Sequence, residues 1–123
     1  MHWGEEYGLV TQRQKTLAAA LAHAGASLIV GSGPHVLQGH QRLAPQGSDH
    51  ETLVLYSLGN FLFDSPYPKG QLGAIVNVRL KTNSIDSAWE ACAVPTQSRR
   101  GLLSWPNAED QKKALRVLGL PAC

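Results

Sequence analysis

Leu28-Ile29-Val30-Gly31-Ser32-Gly33-Pro34-His35 is the stretch on which the fold reading turns. Three apolar residues, two of them β-branched, give a short strand with no polar alternation, the pattern of a strand covered on both faces. Gly31 and Gly33 then break it, and Pro34 fixes the backbone just before His35. Loops at the carboxyl ends of strands in open α/β sheets are where ligands usually bind. Fold and candidate site are therefore read from the same eight residues.

Upstream, Thr11-Gln12-Arg13-Gln14 reads as a capping box. Leu17, Leu21 and Ala24 recur at helical spacing and Gly25 can supply a left-handed end, which predicts a helix over 12–24. Downstream, Val36-Leu37 and Leu43 flank a polar stretch, and Gln46-Gly47-Ser48-Asp49 reads as a turn. Thr52 to Tyr56 is a second buried-strand candidate that also runs into a polar loop, Ser57-Leu58-Gly59-Asn60. Residues 65–70 read as irregular chain. Alternation of Val76, Val78 and Leu80 with Asn77, Arg79 and Lys81 predicts a half-exposed strand over 73–81. Thr82-Asn83-Ser84 would turn it into a partner strand at 85–94. Asn107 caps a final helix over 108–118, with Glu109 and Asp110 in its first turn, Arg116 in its last and Gly119 beyond. The order helix, buried strand, β-rich middle and terminal helix defines an α/β chain.

The chain has 123 residues, 43% hydrophobic and 16% charged, which fits one domain able to bury roughly two-thirds of its unfolded surface. A net charge of +2, with Arg99-Arg100 the only adjacent arginines, is no nucleic-acid footprint. The start, Met1-His2-Trp3-Gly4-Glu5-Glu6, has neither the basic nor the apolar part of a signal peptide. His23, Gly25 and Ser27 interrupt the apolar region 17–30, so it is not a membrane span. Cys92 and Cys123 are the two cysteines, one of them the last residue, and imply no disulfide framework.

Five histidines are the candidate chemistry: His2, His23, His35, His40 and His50. No pair has the helical zinc spacing and there is no CxxC. His23 falls inside the helix, His40 at a strand start and His50 in a turn. His2 opens a polar-aromatic run without core periodicity, and His35 closes the Gly-Ser-Gly-Pro loop. That loop is not a serine nucleophile elbow, because Val30 and Pro34 stand where glycines are needed. Nor is it a phosphate cradle, because extended chain rather than a helix follows.

Three stretches together carry a resemblance: His2-Trp3-Gly4-Glu5-Glu6-Tyr7; Leu28 to Gln38; and Tyr56-Ser57-Leu58-Gly59-Asn60-Phe61-Leu62-Phe63-Asp64. In this order and spacing they resemble the CapA family of capsule, or poly-γ-glutamate, synthesis proteins, related to the calcineurin-like metallophosphoesterases. The resemblance covers about residues 2–64 closely and the following hairpin more loosely. It implies a partial metallophosphoesterase-like α/β sandwich with a β-rich C-terminal half and a terminal helix.

The resemblance also implies a divalent metal, Mn, Zn or Fe, with His2 and His35 as ligands. Trp3, Glu6, Tyr7, Ser32, Gln38 and Asn60 would line the site. Many relatives carry a further histidine where Ser32 or Gly33 stands here, which would weaken one metal position. Relatives also have a long N-terminal half bearing more ligands, so residues 1–123 are read as the C-terminal part of a single domain whose partner is that missing half. Capsule or polyglutamate synthesis machinery would be a further partner, and the cell envelope the location. The 123 residues alone are expected to show little or no catalysis and to expose an apolar face. Two other readings remain open here: a non-catalytic accessory or polymer-binding module of the same lineage, and a stand-alone α/β binding domain.

Overall fold

A computed structural model describes residues 1–47, 50–80 and 89–123. It is a mixed α/β fold. Its elements run α1 (Gln12–His23), β1 (Leu28–Val30), β2 (Leu37–Leu43), β3 (Thr52–Leu58), a 3-10 turn (Pro68–Gln71), β4 (Leu72–Leu80), β5 (Trp89–Arg99), β6 (Leu102–Ser104) and α2 (Ala108–Leu118). They form two three-stranded sheets, β1-β3-β2 and β4-β5-β6. β1 runs parallel to β3, and every other strand pair is antiparallel. A bridge between Gly59 and Gly73 brings the end of β3 against the start of β4.

β3 is the centre of the molecule, and its two faces feed two cores. Leu53 and Leu55 point into one core with Leu37, Leu72, Trp89, Ala93, Ala114 and Leu118. Val54 and Tyr56 point into the other with Trp3, Ala18 and Ile29. The period-2 alternation of a strand thus places α1 on one side of the first sheet, and α2 with the second sheet on the other. Thr52 through Ser57 are all buried, so the reading of a strand covered on both faces holds for β3.

It does not hold for β1. Ile29 is buried, but Leu28 and Val30 are 40% and 42% exposed. The register sets these two beside Leu53 and Leu55. α2 packs on β2, β4 and β5, and that cover stops short of the β1 margin. A half-exposed apolar strip remains there.

Both helices start and stop as their sequences dictate. Gln14 N donates to Thr11 Oγ1 at 3.2 Å and Thr11 N donates to Gln14 Oε1 at 2.9 Å, a closed capping box. Asn107 Oδ1 accepts from Asp110 N at 2.9 Å, and Gly119 takes the left-handed conformation at φ 71°.

Three expectations are corrected or extended. The partner strand expected at 85–94 is β5, which runs on to Arg99, and its proposed start at 85–88, like the turn at 82–84, lies outside the described residues. A sixth strand follows through a two-residue turn, Arg100-Gly101, with φ of 50° and 71°. Two successive positive φ values give the turn whose twist matches that of a hairpin. Finally, Cys92 and Cys123 form a disulfide. The last residues run beside β5: Ala93 N donates to Pro121 O at 2.9 Å and Cys123 N to Ala93 O at 3.1 Å, which carries one thiol to the other.

Among the described residues, no helix is long and apolar enough to cross a membrane.

Candidate functional site

The parallel pairing of β1 with β3 puts their carboxyl ends side by side, so the loops that follow them meet. His35, from the first loop, and Asn60, from the second, are in direct contact, with His35 Nδ1 2.9 Å from Asn60 Oδ1. The Asn60 amide nitrogen donates to two backbone carbonyls, His35 O at 3.1 Å and Gly70 O at 2.7 Å. Asn60 is 8% exposed and His35 partly buried. His35 holds a φ of 57°, a left-handed conformation uncommon for a residue with a side chain and often found at functional positions.

Two aromatic rings flank the imidazole and a third extends the wall they form. Phe63 lies 4.9 Å from it and Tyr7 6.1 Å, ring centre to ring centre, and Tyr67 meets Tyr7 edge-on at 4.9 Å. Lys69 Nζ donates to Tyr7 O at 2.7 Å and stands 5.7 Å from the Tyr7 ring centre. Phe61, Leu62 and Tyr67 are more than half exposed, so the wall opens to solvent.

The segment Met1–Trp3 reaches the same region as a short parallel strap along the end of β1. Met1 N donates to Val30 O at 2.7 Å, Ser32 N to Met1 O at 2.7 Å and Trp3 N to Ser32 O at 2.8 Å. The His2 imidazole consequently lies over Gly33: a Cβ built on that glycine would stand 3.2 Å from His2 Cε1 and 3.3 Å from Nε2. His2 itself is exposed and adjoins a cavity of about 330 Å³ between the strap and α1, which Arg13 and Glu5 also line.

The remaining candidates divide by burial. Trp3 is in the core, its indole Nε1 donating to Tyr56 O at 2.8 Å. Gln38 is 4% exposed, and its amide is taken up by Gly8 O and by Gln14. Ser32 is exposed and serves the strap through its backbone, while Glu6 is exposed. Tyr7, also at a positive φ of 56°, borders His35. Among the other histidines, His40 Nδ1 donates to Leu118 O at 2.7 Å and so ties β2 to α2, and His23 ends α1 on the surface. Sequence reasoning missed Gly70 and Lys69; their segment offers only a proline-rich irregular run, with no periodic signal to single them out.

The His2 imidazole over Gly33 and the His35 imidazole two residues further along the loop are of a ligand type that suits a borderline divalent cation such as Zn, Mn or Fe. Among the described residues, no group of three or more His, Cys, Asp and Glu side chains is close enough to hold a metal ion. The two imidazoles match the ligand chemistry of such a cation and do not by themselves complete a site for it.

Fold and site together define an α/β protein with a polar cluster at the carboxyl ends of paired parallel strands. The chain belongs to the family of bacterial capsule synthesis proteins, PGA_cap, whose profile matches residues 1–65 and so takes in His2, His35 and Asn60. It is 42% identical over 83 residues to the PGA biosynthesis protein CapA of Bacillus subtilis (strain 168), an alignment covering 67% of this chain and 20% of that protein. It is 43% identical over 83 residues to the capsule biosynthesis protein CapA of Bacillus anthracis, covering 67% and 19%. The match thus spans about a fifth of the length of these curated relatives. No solved structure matches the chain.

Proposed function

We propose that residues 1–123 are the C-terminal part of a metal-dependent, metallophosphatase-type hydrolase domain acting in capsule or polyglutamate assembly at the cell envelope. One observation carries the reading: His2 over Gly33 and His35 at the end of the same loop, held there by two separately anchored segments. In this reading His2 and His35 donate imidazole nitrogens to a divalent cation, and the other ligands come from a segment outside these residues. Such a cation, when bound, polarises a phosphoryl or acyl oxygen and lowers the pKa of bound water. The chain's own contribution is positional. The strap fixes the His2 backbone, Gly33 leaves space for its ring, and the aromatic wall shields one side of His35 from water. By itself the chain binds metal weakly and turns nothing over.

Calorimetric titration of the chain with Zn(II) and with Mn(II) tests this. Saturable binding that falls at least tenfold in both H2A and H35A is expected. Binding that is absent, or indifferent to both substitutions, overturns it. A second reading, a non-catalytic module that holds polymer, draws on the open aromatic surface of Phe61, Phe63 and Tyr67. Co-sedimentation with capsule polymer without any metal binding would favour it.

A further inference from the structure

The Asn60 side chain makes three contacts, and together they fix a proton on a different residue. Amide nitrogen and oxygen are distinguished only by their partners. Here one end of the amide faces two backbone carbonyls, of His35 and Gly70, which can only accept. That end is therefore the nitrogen, and the end facing His35 Nδ1 at 2.9 Å is the oxygen. A carbonyl oxygen cannot donate, so Nδ1 must carry the hydrogen. In a neutral imidazole this leaves Nε2 with the free lone pair.

The backbone strain at His35 has a reason in the same geometry. At φ 57° the residue turns its carbonyl and its ring toward one neighbour, and Asn60 engages both at once. Ring and backbone of His35 are clasped by a single amide, with Phe63 against the ring. The third contact, to Gly70 O, anchors the amide outside the loop it controls.

We propose that Asn60 is a positioning residue that selects the Nδ1–H tautomer of His35 and presents Nε2 as an electron-pair donor. Histidines that bind metals commonly have the second ring nitrogen held in this way, and loss of such a partner typically lowers metal affinity 10–100-fold. The consequence for metal affinity rests on the function proposed above; the tautomer does not.

The test is long-range proton–nitrogen NMR of the metal-free 123-residue chain, at a pH where the ring is neutral. In the wild type, the His35 Nδ1 resonance should be that of a protonated nitrogen and Nε2 that of a bare one. Asn60→Ala should shift the population toward Nε2–H. Asn60→Asp loses both donations to carbonyls yet keeps an acceptor for Nδ1–H, so it should retain the tautomer. A purely structural role would make the two variants equally disruptive. An Nε2–H tautomer in the wild type, which needs no variant to fold, overturns the inference. So does an unchanged tautomer in folded Asn60→Ala. A Zn(II) titration separates the two ideas: an Nδ1–H ring with no metal binding sinks the proposed function and leaves the role of Asn60 standing. Metal binding with an Nε2–H ring does the reverse.

Discussion

Gln14 Nε2 donates to Gln38 Oε1 across 2.9 Å, although the two residues are only 1% and 4% exposed. This amide pair joins α1 to β2. It continues outward at both ends, to Thr11 through the capping box and to Gly8 O through Gln38 Nε2 at 3.1 Å. The segment carrying Tyr7 toward His35 is therefore anchored from below by buried side chains. Gln38→Leu strands the Gln14 donor and the Gly8 acceptor, and should destabilise the fold by about 1–3 kcal/mol in urea unfolding. Q14L/Q38L should lose less than the sum of the single changes, which a double-mutant cycle reads directly.

The Cys92–Cys123 disulfide closes a loop with a sequence separation of 31. The loop-entropy relation assigns such a link about 3.7 kcal/mol. Reduction, or Cys123→Ser, should lower the melting temperature and release the strap at Pro121–Cys123 from β5. An unchanged melting curve with reductant present would contradict this.

Gly31 has no room for a side chain: a Cβ there would meet the Trp3 indole and Tyr56 O, and the indole's hydrogen bond to that carbonyl occupies the same space. Gly31→Ala should cost about 3 kcal/mol or prevent folding. Trp3 would be expelled from its core, and a red-shifted tryptophan emission would report it.

Tyr56 is buried, its hydroxyl donates to Gln41 Oε1 at 2.7 Å, and desolvation raises its pKa above the usual 10.0. A phenol whose folded pKa is raised keeps its proton longer in the folded state than in the unfolded one. Its contribution to stability is complete below pH 10 and is lost as pH rises through the folded value. Stability should decline from about pH 10 upward, and Tyr56→Phe should flatten that decline in melts taken from neutral to alkaline pH.

Much of this architecture is legible in the residues, because local rules and tertiary packing agree there. α2 and β1 have the spans that the spacing predicts, and α1 ends one residue early, at His23. Caps at Thr11 and Asn107 and the stop at Gly119 are side-chain or φ requirements that a sequence displays directly. The meeting of His35 with Asn60 was foreshadowed by two loops, each following an apolar strand. What stayed hidden depends on where distant chain goes. Leu28 and Val30 look as apolar as Leu53 and Leu55, and only the extent of α2 and the second sheet decides which pair is covered. Arg100-Gly101 shows half of a hairpin signal, since glycine favours positive φ and arginine does not. Nothing in the position of Cys123 announces a partner 31 residues away, because the parallel approach of the tail to Ala93 is set by α2 docking. Gln38 belongs to a shared motif, and its burial and its bonds to Gln14 and Gly8 O, which the motif does not announce, make it a strut between α1 and β2.

The two ends of the chain are fastened by different means: the front by the backbone hydrogen bonds of Met1–Trp3 along β1, the back by backbone pairing plus a covalent sulfur link to β5. The front hold consists of separate hydrogen bonds that can open one at a time, and the back hold includes a bond that only reduction breaks. His2 over Gly33 and the Trp3 indole beneath Gly31 depend on those front bonds, and the second sheet does not. The hold on His2 is thus a row of single hydrogen bonds, whereas His35 keeps a separate clasp through Asn60.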